Sequence, residues 1–175
     1  RKRVPEQHEG RRQEILAAAH RCFLRHGLQG ASISMICKEA AMSPGHLYHY
    51  FPSKEALFEA CSRQVTAPEL PELAEDATPE ERFEVLLQFL NLLDDDFRGE
   101  LSLMLDYTRG KSDAQVREDP LMREALTGFL LAMKGIVGEK NAEHALQRSL
   151  GILVLRAFGL EVSFNDLREL CERPS

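Results

Sequence analysis

The stretch Ile33 to Lys54, ISMICKEAAMSPGHLYHYFPSK, holds two short helices and the turn between them. Ser32 sits where an N-cap oxygen can take a free backbone N–H, so a helix is predicted over Ile33–Ala40, with Ile33 and Ile36 facing inward. Ala41-Met42-Ser43 follows as a tight turn. Ser43 then caps a third helix whose first position is Pro44, where the missing N–H costs nothing. This helix ends near Tyr50 and Phe51, Pro52-Ser53 breaks the chain, and Ser53 caps a fourth helix carrying Ala56, Leu57, Phe58 and Cys61. Upstream, Ile15, Leu16, Ala19, Cys22 and Phe23 recur at three- and four-residue steps, so a helix with one apolar face runs from Arg11 to His26 and stops at Gly27. Arg1-Lys2-Arg3, with Arg11 and Arg12, reads as a basic arm leading into it. Two one- to two-turn helices joined by a three-residue turn and flanked by longer helices form a helix-turn-helix pattern, whose second helix is the candidate reader.

Downstream, a Pro- and Glu-rich segment, Ala67–Asp76, separates this unit from the rest. Thr78-Pro79-Glu80-Glu81 is a capping box with proline at the first helical position. The helix it opens carries Phe83, Leu86, Leu87, Leu90 and Leu93 on one side, with Val85 and Phe89 widening the apolar face. Leu101–Tyr107 reads as a further apolar helix, and Asp119-Pro120 opens a long one striped by Met122, Ala125, Leu126, Phe129, Met133, Ile136 and Val137. A last helix is expected over Ala142–Val162, where Leu150, Ile152, Leu153, Val154, Leu155 and Phe158 are apolar nearly all round. A terminal helix of that kind is most simply buried against a helix of a second copy. No stretch alternates as a strand does, so the expected fold is all-α, with about nine helices.

The 175 residues are 43% hydrophobic and 29% charged, an ordinary globular composition that excludes a disordered or fibrous chain. The net charge of −6 is unevenly placed. Residues 1–64 hold ten Lys/Arg, six Asp/Glu and five of the six histidines, a net of +4, whereas residues 65–175 carry −10. A basic unit attached to an acidic one suggests that the first meets a polyanion. Cys22, Cys37, Cys61 and Cys171 match no metal-ligand or redox spacing and read as reduced, buried thiols. No signal peptide is visible, and Arg1 at the first position reads as a trimmed start. The longest apolar stretch, Leu150–Leu155, is broken by Arg156 and is far short of the ~20 residues a membrane helix needs, so a soluble, cytoplasmic protein without a membrane partner is expected.

The segment from Arg11 to Cys61 resembles the tetracycline-repressor (TetR) family. Its hallmark here is the capped Ser43-Pro44-Gly45 followed by Leu47-Tyr48, His49-Tyr50, Phe51 and Ser53-Lys54. The resemblance implies a DNA-binding helix-turn-helix domain, residues 1–64, joined by its fourth helix to a helical effector-binding and dimerisation domain, residues 65–175. It implies a homodimeric regulator, most simply a repressor, on a pseudo-palindromic duplex. Elementary chemistry agrees at the motif positions. A short helix enters the ~12 Å major groove end-on, which puts Ser43, Pro44, Gly45 and His46 nearest the bases, with His46 as reader and Gly45 as a point of close backbone approach. Tyr48, His49 and Tyr50 offer donors to phosphate oxygens, Lys54 adds charge at the first turn of helix four, and Ser32 and Ser34 can touch the flanking strand. The bland alternatives are that Tyr48 or Tyr50 covers the core edge and that His49 and Lys54 are solvated. Two positions depart from the family pattern: the usual glycine of the turn is Ala41, strained if its φ is positive, and the next residue, often valine, is Met42.

For the acidic part the resemblance implies an unidentified small-molecule effector. Phe58, Phe83, Leu87, Phe97, Met104, Tyr107 and Phe129 are offered as apolar walls, with ordinary packing as the alternative for each. Met122, Phe129, Met133, Leu150, Ile152, Leu153, Leu155 and Phe158 are offered as the dimer interface. Asp94-Asp95-Asp96 points its carboxylates in different directions, so no metal is expected, and no cofactor. No nucleophile elbow, zinc-protease motif or phosphate loop is present, and no catalytic residue is assigned. The competing reading is an all-α small-molecule binder or enzyme whose basic N-terminal unit is incidental.

Overall fold

The computed structural model describes residues 5–65, 73, 74 and 76–172, and these are helical with no strand. The arm Arg1–Arg3 and most of the segment Ala67–Asp76 lie outside them. The α-helices are α1 (Pro5–Gly30), α2 (Ile33–Glu39), α3 (Pro44–Tyr48), α4 (Lys54–Val65), α5 (Pro79–Thr108), α6 (Asp113–Glu118), α7 (Pro120–Val137) and α8 (Ala142–Ala157), followed by a 3-10 helix at Asn165–Cys171. Among the described residues no helix is long and apolar enough to cross a membrane.

The chain divides into two compact units: residues up to Val65 with Ser102–Val116, and Thr66–Leu101 with Arg117–Ser175. Ser102–Val116, expected in the C-terminal domain, therefore groups with the helix-turn-helix, and α5 supplies residues to both units. In the first unit α1 packs on α2 and α4, and α2 on α3. The apolar stripe of α1 is buried at Ile15, Leu16, Ala19, Cys22 and Phe23, and meets a core that includes Ile36, Leu47, Phe51, Leu57 and Phe58. Phe23 and Phe58 pack edge to face, ring centroids 5.5 Å apart. Gly27 breaks the helix as expected, at φ 70° and ψ 167°, and helical residues resume beyond it to Gly30. A side chain there would stand 2.9 Å from Asp106 Oδ2, so both the backbone angle and the close approach call for glycine.

The second unit is built on Phe83, Leu86, Phe89 and Leu90 of α5, Met133, Ile136 and Val137 of α7, Ala145, Ile152 and Leu153 of α8, and Leu167 and Leu170 of the 3-10 helix. The capping box holds: Thr78 N donates to Glu81 Oε2 at 2.8 Å and Glu81 N to Thr78 Oγ1 at 3.3 Å. Asp119 caps α7 through the N–H groups of Leu121 and Met122.

Two element expectations are corrected. The helix at Leu101–Tyr107 is the end of a single 30-residue α5, because no proline or cap interrupts 94–100 and one glycine, Gly99, costs only about 1 kcal/mol in a helix interior. The last helix stops at Ala157 rather than Val162, because Gly159 (φ 85°) closes it, with Leu160 N donating to Leu155 O at 3.1 Å. The remaining residues form a loop and the 3-10 helix, which the apolar pattern did not reveal.

Three of the residues offered as a dimer face are covered within their own unit. Met133 and Leu153 are 0% exposed and Ile152 is buried, all within the core of their own unit. The period-3.6 stripe gives a helix's buried face without saying whose helix covers it. Phe158 is 79% exposed, and Leu155 of α8, Leu126 and Leu131 of α7, Leu92 and Leu105 of α5, and Leu160 are exposed as well. Met122, Phe129 and Leu150 are half-buried.

Candidate nucleic-acid interface

The caps set the geometry of α2 and α3. Ser32 Oγ accepts from Met35 N at 3.2 Å and Ser43 Oγ from His46 N at 3.3 Å. Both serines are therefore engaged through one lone pair while remaining exposed, as are Ser34, Pro44 and Gly45. Between the helices Met42 N donates to Cys37 O at 2.9 Å and Ala41 N to Lys38 O at 3.3 Å, the pair of bonds that closes a helix end in a Schellman turn. Ala41 stands at the left-handed position with φ 49°, the strain its departure from glycine implies.

Arg11, read from sequence as part of a basic arm, is instead bound to this turn. Its guanidinium donates to Ala40 O at 2.8 Å and Ala41 O at 3.3 Å, where the α2 carbonyls are short of partners. The guanidinium of Arg12 lies 5.4 Å from the centroid of the Phe51 ring. Arg21 and Arg25 pair with Glu39 at 2.9 and 3.2 Å, joining α1 to α2, and the hydrogen bond from Arg21 holds the Glu39 carboxyl below its ordinary pKa. Sequence reasoning missed these roles because each partner lies far along the chain.

Lys54 also has a second task. Its amine donates to Leu28 O at 2.8 Å and Ala31 O at 3.2 Å, satisfying carbonyls at the end of α1, so two of its three hydrogens are committed inside the unit. Tyr48 is 49% exposed and His49, the C-cap of α3, is exposed. Tyr50 is half-buried: its ring stacks on His8 with centroids 4.6 Å apart, and lies 5.6 Å from the His46 ring. A side chain at Gly45 would meet nothing within 4 Å, so no contact inside the protein requires glycine there.

The seven expected effector walls are divided between the two units. Phe58, Met104 and Tyr107 belong to the first unit, where Phe58 is buried against Phe23 and lies 5.3 Å from the Tyr107 ring. Phe83, Leu87, Phe97 and Phe129 belong to the second. Phe83 is buried there with the Arg168 guanidinium 4.3 Å from its ring centroid, and Phe129 packs edge-on to Phe89 at 5.4 Å. A cleft of ≈ 920 Å³ in the second unit is lined by other residues, among them Asp94, Arg98, Arg156, Phe158, Leu160 and Val162. Arg156 organises it, bonding Asp94 Oδ2 at 2.8 Å and Val162 O at 3.0 Å. The four cysteines are reduced and buried, and burial pushes the thiols of Cys22 and Cys37 up and that of Cys171 to about 11, which suppresses thiolate chemistry.

Residues 15–61 match the family model described as bacterial regulatory proteins, tetR family. The segment 15–61 is thus a helix-turn-helix segment of the TetR type. The chain's relatives include the HTH-type transcriptional repressor AcnR of Corynebacterium efficiens, 34% identical over 135 residues, which are 77% of this chain and 65% of that protein. The HTH-type transcriptional regulator UidR of Escherichia coli K12 is 53% identical over 49 residues, 28% of this chain and 25% of UidR. The chain thus spans under two thirds of the length of either relative. Among solved structures, Salmonella enterica GusR superposes with a TM-score of 0.58 at 27% identity, covering 93% of each chain. Both relatives are named as transcription regulators or repressors.

Proposed function

We propose that this chain is a homodimeric transcriptional regulator, a repressor that a small-molecule effector releases from its operator. The observation that carries the reading is α3: five residues long, capped by Ser43, with the Ser43-Pro44-Gly45 end exposed and Gly45 required by nothing inside the protein. Glycine inside a helix costs roughly 0.5–1 kcal/mol against alanine, and close approach of a DNA backbone or base edge accounts for its presence. His46 reads a base edge, Tyr48, His49 and Tyr50 hold phosphates, and Ser32 and Ser34 touch the flanking strand. Lys54 contributes its remaining hydrogen and its charge to a phosphate.

Dimerisation uses the bare side chains of Leu126, Leu131, Leu155 and Phe158, with Met122, Phe129 and Leu150 at their margins. Two α3 helices then enter major grooves about one helical turn apart, ~34 Å or somewhat more. An effector binding the second unit favours a dimer arrangement that no longer fits both grooves and weakens DNA binding by a coupling energy of about 1–3 kcal/mol. Leu87, Phe97 and Phe129 are half-buried apolar positions left for such a ligand within that unit.

The test is titration of a labelled mixture of random duplexes at several salt concentrations. The expected result is binding whose logarithm falls linearly with the logarithm of salt, with a slope near −0.9 per phosphate held. Absence of duplex binding at low salt would favour the competing small-molecule binder or enzyme.

A further inference from the structure

Three rings form a column from the start of α1 to the reader helix. The His8 imidazole stacks on Tyr50, with centroids 4.6 Å apart and planes 25° from parallel, and the Tyr50 ring lies 5.6 Å from His46 at 58°. The middle residue is held at its backbone, Tyr50 N donating to Leu47 O at 2.9 Å, while its ring is half-buried. His46 is half-buried and its backbone N–H is held by the Ser43 cap, so its side-chain rotamer depends on what packs beside it. Tyr50 stands there, and the exposed His8 closes the other face of Tyr50. The same stretch of α1 grips the helix-turn-helix twice more, through Arg11 on the Ala40 and Ala41 carbonyls and Arg12 over Phe51. The column is thus part of a deliberate seating of α1 against residues 40–51.

We propose that His8 is a positioning residue for base specificity: stacked on Tyr50, it holds that ring against His46 and so fixes the orientation in which His46 meets a base. The inference rests on His46 being the reader. A reader that samples several rotamers makes its hydrogen bond with the right base for only part of the time, while its contact with the wrong base improves. Discrimination then falls although the number of phosphate contacts does not change. Ring pairs of this kind are worth enough to shift a rotamer balance by roughly three- to tenfold, which sets the size of the effect.

The experiment compares base preferences, by selection from a random duplex pool with the full chain, for the parent, H46A, H8A and H8F. H46A is expected to lose preference at one base pair in each half-site. H8A is expected to lose about three- to tenfold of the preference at that same base pair, with its salt slope as in the parent. H8F keeps a flat ring without a charge or a ring nitrogen, and is expected to restore the preference. If H8A and H8F both weaken all sequences alike and reduce the salt slope by about one, His8 is a phosphate ligand and the inference is overturned while the reader stands. If H8A leaves preference unchanged while H46A removes it, the column does not position the reader, and the inference is equally overturned. If H46A changes no base preference, the assignment of the reader fails, and the role of His8 falls with it.

Discussion

At Ala41 a single methyl group sets a conflict that its neighbours resolve. The residue holds φ 49° because the Schellman turn between α2 and α3 demands it, and Arg11 supplies donors to the two carbonyls exposed there. Relieving the methyl strain should outweigh the extra freedom glycine gives the unfolded chain, so Ala41→Gly is expected to raise stability by up to about 1 kcal/mol, read from denaturant midpoints at unchanged m-value. Lys54 is the opposite case. Its amine serves two carbonyls at the end of α1, and Lys54→Ala is expected to cost about 1–2 kcal/mol of stability as well as weakening duplex binding. A Lys54→Ala chain that melts like the parent would show that the amine works only at the DNA. The carbonyl-binding role is not legible from sequence, since Leu28 and Ala31 are more than twenty positions away from Lys54 and no periodicity connects them.

Among the elements, local chemistry was readable wherever a cap or a breaker acts within a turn of the helix it bounds. Ser32, Ser43, Ser53, Thr78 with Glu81, and Asp119-Pro120 all cap where their sequence places them. The same rule applied to Ser112 and Gln115 reveals α6, which has capping bonds of 2.8 and 3.3 Å but no apolar stripe to signal it. Gly159 likewise carried the stop signal of α8. What local rules do not supply is the pairing of elements, of which Glu39 is an example. Arg21 and Arg25 of α1 reach it on α2, and the Arg21 hydrogen bond lowers its pKa from the ordinary 4.5. Between the lowered and the ordinary value the unfolded chain binds more protons than the folded one, so stability there rises with pH. The contribution is complete above about pH 4.5 and is lost as pH falls through the lowered value. Melting temperature followed across that window is expected to drop more steeply in the parent than in Glu39→Gln, and parallel curves would show that the pairs contribute nothing to folding.

For the whole molecule, the all-helical architecture and the helix-turn-helix were legible, because a repeating apolar stripe and a specific motif span them. The partition of apolar surface between core and interface was not. Met133, Ile152 and Leu153 carry the same sequence signal as Leu155 and Phe158, yet the former close the second unit's own core and the latter stay bare. If the bare set holds the dimer together, the double variant Leu155→Asp/Phe158→Asp should scatter light as a monomer with unchanged helicity, since neither side chain supports the core. A dimer that survives both charges would place the interface elsewhere. The charge split, +4 in residues 1–64 against −10 in the rest, gives such a dimer a natural orientation, with its basic units toward the duplex.

Whether α3 reads DNA as one of a symmetric pair is tested most directly by selection of bound duplexes from a random pool. The expected result is a pseudo-palindrome whose half-sites lie about one helical turn or somewhat more apart. Recovery of no sequence, with only weak and salt-sensitive binding, would contradict it.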